Sequence, residues 1–166
     1  MITIGLYKSK TMVSRLIRWQ TRGDYSHAAI HIHGMAVEAW HRGGVQRGPI
    51  GHLHEKGTEI DIFKITGLHV PLLVEAFALE QVGKPYDFTM VGRFLSRRGE
   101  SRRSKTKWFC SELVFDALAE GGLRLFRNTQ GWEVSPDLLK RSPYLEFSHK
   151  ITIGEPKENE TDNPNR

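Results

Sequence analysis

The chain has 166 residues, a formal net charge of +5 and a single cysteine. That length suffices for one domain with a real core, one cysteine excludes an internal disulfide framework, and no apolar run approaches the ~20 residues of a membrane span. The positive balance favours anionic partners such as nucleic acid, phospholipid head groups or acidic polymers, without choosing among them.

Residues Ile2 to Tyr7 alternate as a first strand. They read as a strand and not as a signal peptide, so a cytoplasmic protein is expected. Thr11 can cap a helix running to about Thr21, and Gly23-Asp24 breaks it. Next comes the clearest hairpin, Tyr25 to Trp40. A two-residue turn at His33-Gly34 pairs Ile32 with Met35 and Ile30 with Val37, apolar against apolar. In that register His27 faces Trp40 with Glu38 as diagonal neighbour, so one face carries His27, His31 and Glu38 together. A slip of one residue would move Glu38 away.

His41 to Gly57 is Gly-rich and holds His52 and His54; it reads as a loop with one short strand around Val45. Glu59 to Ile65 alternates as a strand. Pro71 opens a helix through about Gln81, with an apolar set of Leu73, Ala76, Phe77 and Leu79–Val82, and Gly83 ends it. Lys84 to Phe88 is a turn, followed by a short helix from Thr89 to Ser96. Arg97 to Lys107 is a loop with six cations and one anion. Ser135-Pro136 starts another short helix, and Tyr144 to Ile153 is a closing strand. One domain is expected over residues 1–153. The remaining residues, 154–166, are charged and lack apolar side chains, as in a disordered tail.

The stretch Lys107 to Val114 holds Cys110 where a basic loop turns into a helix. From Ser111 the apolar positions Leu113, Val114, Ala117 and Leu118 recur at helical spacing, and Gly121-Gly122 stops them. Cys110 therefore sits at or just before a helix N-terminus, where free N–H groups and the dipole stabilise an anion. A thiol there is a candidate nucleophile with oxyanion support beside it. Cys110 is also in phase with Leu113, Val114 and Ala117, so it could equally be the first core residue of the helix. A thiolate nucleophile needs a base, and the base an orienting group. His27 with Glu38 beside it supplies both roles.

Four strings, Tyr25-Ser26-His27-Ala28-Ala29-Ile30, Val37-Glu38-Ala39, Gly83-Lys84-Pro85-Tyr86-Asp87-Phe88 and Phe109-Cys110-Ser111-Glu112-Leu113-Val114, in this order resemble the YiiX/YebB-type branch of the NlpC-like cysteine hydrolases. The resemblance spans about Gly5 to Leu118. It implies an α+β, circularly permuted papain-like fold: an antiparallel sheet or partial barrel packed against helices, including the one that bears the cysteine. It also implies Cys110 as nucleophile, His27 as base, Glu38 as third polar residue and Tyr86 as an aromatic near the site. Tyr86, Ser111 and Tyr25 are candidates for substrate binding or oxyanion support. The implied reaction is hydrolysis of an amide (peptide or isopeptide) or ester through a thioester. The substrate could be a peptide, a peptidoglycan fragment or a lipid. Related enzymes similar to lecithin:retinol acyltransferase transfer acyl groups instead.

The extra histidines and the basic loop lie outside that pattern. His52-Leu53-His54 could share a face with His41 or Cys110 nearby, but the usual metal-ligand spacing is missing, so no metal and no cofactor is expected. The Arg97–Lys107 loop lacks interleaved aromatics and no groove-reading helix appears, so no specific nucleic acid is predicted. It suits a lid that attracts an anionic surface. A non-catalytic basic module for nucleic acid or anionic membrane is the rival reading; its affinity would fall steeply with salt.

Overall fold

The computed structural model describes residues 1–9, 23–89 and 106–154. The expected helix at Thr11–Thr21, nearly all of the Thr89–Ser96 helix and of the basic loop, and the tail from residue 155 lie outside the described residues.

Six strands form one antiparallel sheet: β1 (Ile2–Lys8), β2 (His27–Ile32), β3 (Met35–Trp40), β4 (Gly44–Pro49), β5 (Glu59–Ile65) and β6 (Leu145–Thr152), in the order β4-β3-β2-β1-β5-β6. The β2–β3 hairpin has the register that apolar matching predicts, with Ile30 opposite Val37 and Ile32 opposite Met35. His33 at φ 50° and Gly34 at φ 81° make the two-residue turn whose twist suits a hairpin. Strand β4 is longer than the short strand expected around Val45, because every residue from Gly44 to Pro49 pairs with β3.

Alternation along the strands sends Ile4, Leu6, Ala28, Ile30, Ile32, Val37 and Ala39 into the core shared with the helices. Tyr7, Ala29, Ala36, Ile60 and Ile62 form a second cluster on the other face, against which Ile50, Ile151 and Ile153 pack. All six residues of β2 are buried. The polar residues that alternate with its apolar ones therefore lie out of water too. The β4–β5 loop reaches back to the end of β6, where the Gly57 N–H donates to the Ile153 carbonyl at 2.8 Å.

Helix α1 (Pro71–Glu80) packs on helix α2 (Cys110–Glu120), and α2 packs on β2 and β3. The apolar set expected for α1 is corrected: Val74 and Ala78 are its buried residues, while Leu73, Leu79 and nearby Val82 are exposed. Phe77 from the expected set is partly buried against the core and packs on Trp108, while Leu72, Leu73 and Leu79 face outward. Helix α2 buries Leu113, Val114, Ala117 and Leu118 as their spacing predicts. The loop expected over Asn128–Glu133 contains a short 3-10 turn, Gly131–Glu133. Helix α3 (Pro136–Lys140) starts at Ser135, whose hydroxyl accepts from the Leu138 N–H. Its first-turn Asp137 also accepts from the Asp24 and Tyr25 N–H groups at 2.9 and 3.1 Å, which ties down the chain entering β2. Among the described residues no helix is long and apolar enough to cross a membrane.

Candidate active site

The N-terminus of α2 and the first residue of β2 bring Cys110 and His27 together. Phe109, extended at φ −92° and ψ 153°, caps the helix, so Cys110 is its first helical residue. Here the N–H groups of the opening turn have no intrahelical partners. Cys110 and His27 are both buried. The His27 Nε2–H donates to Glu38 Oε2 at 2.7 Å, and Glu38, from β3, is wholly buried. With Nε2 taken, Nδ1 is the ring nitrogen left for Cys110. Burial opposes charging this imidazole. The charge and hydrogen bonding of Cys110, with the same effects from Glu38, outweigh burial and push the pKa up to about 10. Trp40 stands edge-on to the His27 ring at 5.2 Å and restrains it from the side.

Glu38 has a second partner. The His54 Nε2–H donates to the same Oε2 at 2.9 Å, with its side chain fully buried. Burial would raise the Glu38 carboxyl, but the two imidazoles hold it far below the usual carboxylate range. Tyr7 stacks on His54 at 4.2 Å, and its hydroxyl donates to His31 Nε2 at 2.9 Å. Burial lowers His31 to about 4, so this ring is neutral. Gly5 makes room for it: a Cβ there would lie 2.4 Å from His31 Cε1. His52 stands further off, with Nδ1 donating to the Pro49 carbonyl at 2.9 Å and lying 3.7 Å from Glu38 Oε1.

The other expected site residues fall into two groups. Tyr86 is buried against Phe109, with ring centroids 5.8 Å apart, and is close enough to Cys110 that burial and then the thiolate charge raise its hydroxyl pKa. Ser111 follows Cys110 in the helix, but its hydroxyl donates to the Val134 carbonyl at 2.5 Å, which leaves only its main chain for an oxyanion. The Tyr25 hydroxyl donates to Asp61 Oδ2 at 2.6 Å and Lys8 approaches the ring, so this side chain braces β1 and β5. Trp108 joins the core beside Phe77.

His54 and Tyr7 were not legible as site residues in the sequence. The one signal for His54 is the His52-Leu53-His54 spacing, and for Tyr7 the β1–β2 register that sets it opposite His27. His27 Nε2, the Glu38 carboxylate and His54 Nε2 lie within 4.8 Å of one another and could hold a metal ion. The missing local ligand spacing, on which the expectation of no metal rests, does not report on this group, because its members come from two strands and a loop.

A search of curated proteins found no match. Among solved structures, one described as metalloprotein yiiX from Escherichia coli O157:H7 is similar at 20% identity with a TM-score of 0.69, covering 90% of this chain and 96% of that chain. At that identity the likeness speaks for the fold. A family model described as permuted papain-like amidase, YaeF/YiiX, C92 family, matches residues 6–130. That span runs from within β1 through the Cys110 helix and so includes Tyr7, His27, Glu38, His54, Tyr86 and Cys110. The chain thus belongs to the permuted papain-like amidases of the YaeF/YiiX, C92 family.

Proposed function

We propose that this chain hydrolyses an amide bond through a thioester on Cys110, with His27 as base and Glu38 as the group that orients it. The observation that carries this reading is that the wholly buried Glu38 holds His27 through Nε2 at 2.7 Å, while Cys110 lies near enough to the ring that its charge helps to raise the His27 pKa. His27 Nδ1 takes the thiol proton, and the sulfur attacks the carbonyl carbon. The developing oxyanion is met by main-chain N–H groups of the first turn of α2, Ser111 included. The C–N bond then breaks as His27 returns the proton to the leaving amine. A water, deprotonated by His27 Nδ1, attacks the thioester carbon, the C–S bond breaks to release the acid, and the Cys110 sulfur leaves with the proton held between it and His27. Glu38 keeps Nε2 protonated throughout, so Nδ1 is the nitrogen that takes up and returns the proton in both transfers. Tyr86 forms a wall beside the sulfur.

An ester, or an acceptor other than water, fits the same steps; the amide follows from the family. The likeness to yiiX makes a metal ion a candidate ligand for this chain too. Held by His27, Glu38 and His54, it would supply Lewis-acid chemistry. The test is a panel of peptide, isopeptide, peptidoglycan-fragment and lipid acyl donors, read by intact mass. An acyl adduct on Cys110 that disappears in Cys110→Ala, with hydrolysis lost in His27→Ala, is the expected result. Hydrolysis that survives Cys110→Ala overturns the proposal. So does the absence of hydrolysis together with salt-sensitive binding of nucleic acid, which would favour the basic binding module.

A further inference from the structure

We propose that the outward face of α1, with Phe88 just beyond its C-terminal end, docks on an anionic lipid surface. A surface helix normally turns polar residues outward; this one turns leucines. With Val74 and Ala78 buried, the turn of about 100° per residue puts Leu72, Ala76 and Leu79 together on the opposite side. All three are exposed, Leu72 by 72%. Leu73 flanks the row, Val82 follows the helix end, and both are exposed as well. Phe88 is exposed by 62%. Apolar side chains grouped in this way mark an interaction surface.

Charge identifies the partner. Residues 90–105 carry six cations and one anion, which equals the whole net charge of +5, so the rest of the chain balances to zero. This stretch leaves the described residues at Thr89 and returns at Thr106. Both ends are tied to α1. The Trp108 indole N–H donates to Oε1 of Gln81, the residue that closes the helix, at 3.2 Å, and its ring stands 5.6 Å from Phe77. The Asp87 N–H donates to the Trp108 carbonyl at 2.9 Å.

Exposed aliphatic and aromatic side chains beside a concentrated positive charge suit a lipid surface, whose acyl boundary takes the former and whose anionic head groups attract the latter. Nucleic acid would use the cations and leave the leucines in water. A second copy on the same face would bring two cationic stretches together, and like charges repel. Glu80 is an exposed carboxylate of the helix, one charge against six cations, and Glu75 lies 3.7 Å from His33 Nδ1. Docking here sets Tyr86, edge-on to Phe88 at 5.0 Å and close to Cys110, near the lipid surface. The docking itself does not depend on the thiol chemistry proposed above.

The experiment is sedimentation of the full chain with vesicles of phosphatidylcholine alone and of phosphatidylcholine mixed with phosphatidylglycerol. The expected result is saturable binding to the mixed vesicles, at least ~tenfold stronger than to the neutral ones and weakened by added salt. Leu72→Ser/Leu79→Ser should weaken it by at least ~tenfold, since two leucines lose their place in the acyl boundary. Both positions are exposed, so the core is left intact, and circular dichroism checks this. A second readout locates the contact. An environment-sensitive dye on Ala76→Cys, in a Cys110→Ser chain, should brighten with mixed vesicles and be quenched by nitroxide-bearing lipid. The same dye on His149→Cys, at an exposed position of β6, should respond to neither. Each of four results would overturn the proposal: no binding to mixed vesicles, with or without binding to duplex DNA; binding that the double leucine variant retains; a dye on residue 76 already shielded without vesicles, as when the chain's own residues cover the face; or a dimer that the leucine variant dissolves. Hydrolysis is not read, so failure of the thiol mechanism leaves these readouts untouched.

Discussion

Glu38 Oε2 accepts from His27 Nε2 at 2.7 Å with no part of the Glu38 side chain open to water. A charged acceptor in that setting fixes both the orientation of the imidazole and which nitrogen carries its hydrogen. Glu38→Gln keeps the shape, removes the charge and can place an N–H against a ring N–H. Labelling of Cys110 by iodoacetamide and hydrolysis of any acyl donor should both fall by about 100-fold or more, in the range lost when general-base assistance is removed. Intact-mass kinetics on wild type and variant measure it.

His54 holds the same oxygen from the other side, at 2.9 Å. His54→Ala removes one hydrogen bond to a charged group and the stack on Tyr7. The expected loss is about 2–4 kcal/mol of stability, read by urea denaturation. The activity that remains should be lower by roughly tenfold, since Glu38 keeps His27 but loses part of its own anchoring.

Gly5 and His31 are packed so closely that no side chain fits between them. Gly5→Ala should destabilise by about 1–3 kcal/mol through overpacking. The double variant Gly5→Ala/His31→Ala should recover part of the loss, because the clashing ring is gone. A double-mutant cycle that shows additivity would contradict the contact.

Asp61 accepts from Tyr25 at 2.6 Å and lies 3.1 Å from Lys8 Nζ. Burial would raise its carboxyl, but Tyr25 and Lys8 outweigh that and hold it below its ordinary value. A depressed folded pKa contributes stability that is present above the unfolded value, near 3.9, and is lost as pH falls through the folded one. Thermal melts should therefore drop steeply below about pH 4. Asp61→Asn should melt lower than wild type at neutral pH and show a shallower acid limb.

Much of this was legible before the structure, and the reasons are local. The His33-Gly34 turn sets the β2–β3 register, and that register brings Glu38 to His27. Helical spacing after Cys110, with Phe109 left extended, puts the thiol in the first turn of α2. Strand β5 covers the residues that its alternation indicates. What escaped depends on contacts far apart in sequence. His54 lies in a Gly-rich loop with no period, and only the return of that loop toward Ile153 carries it over the sheet. The Tyr25 hydroxyl goes to Asp61, 36 residues away, a pairing that no spacing in either segment announces. The outward apolar side chains of α1 were misread because their periodicity does not reveal which face has a neighbour.

The most direct test of the account is the rate of Cys110 alkylation by iodoacetamide at about pH 6 in wild type and His27→Ala, both checked for folding. The account predicts fast labelling in wild type and loss of most of it in the variant, because His27 is the base that takes the thiol proton as the sulfur reacts. Labelling that is slow in both, rising only near the free-thiol value of about 8.5, would mean that Cys110 is a core residue. The thiol chemistry proposed here would then be wrong.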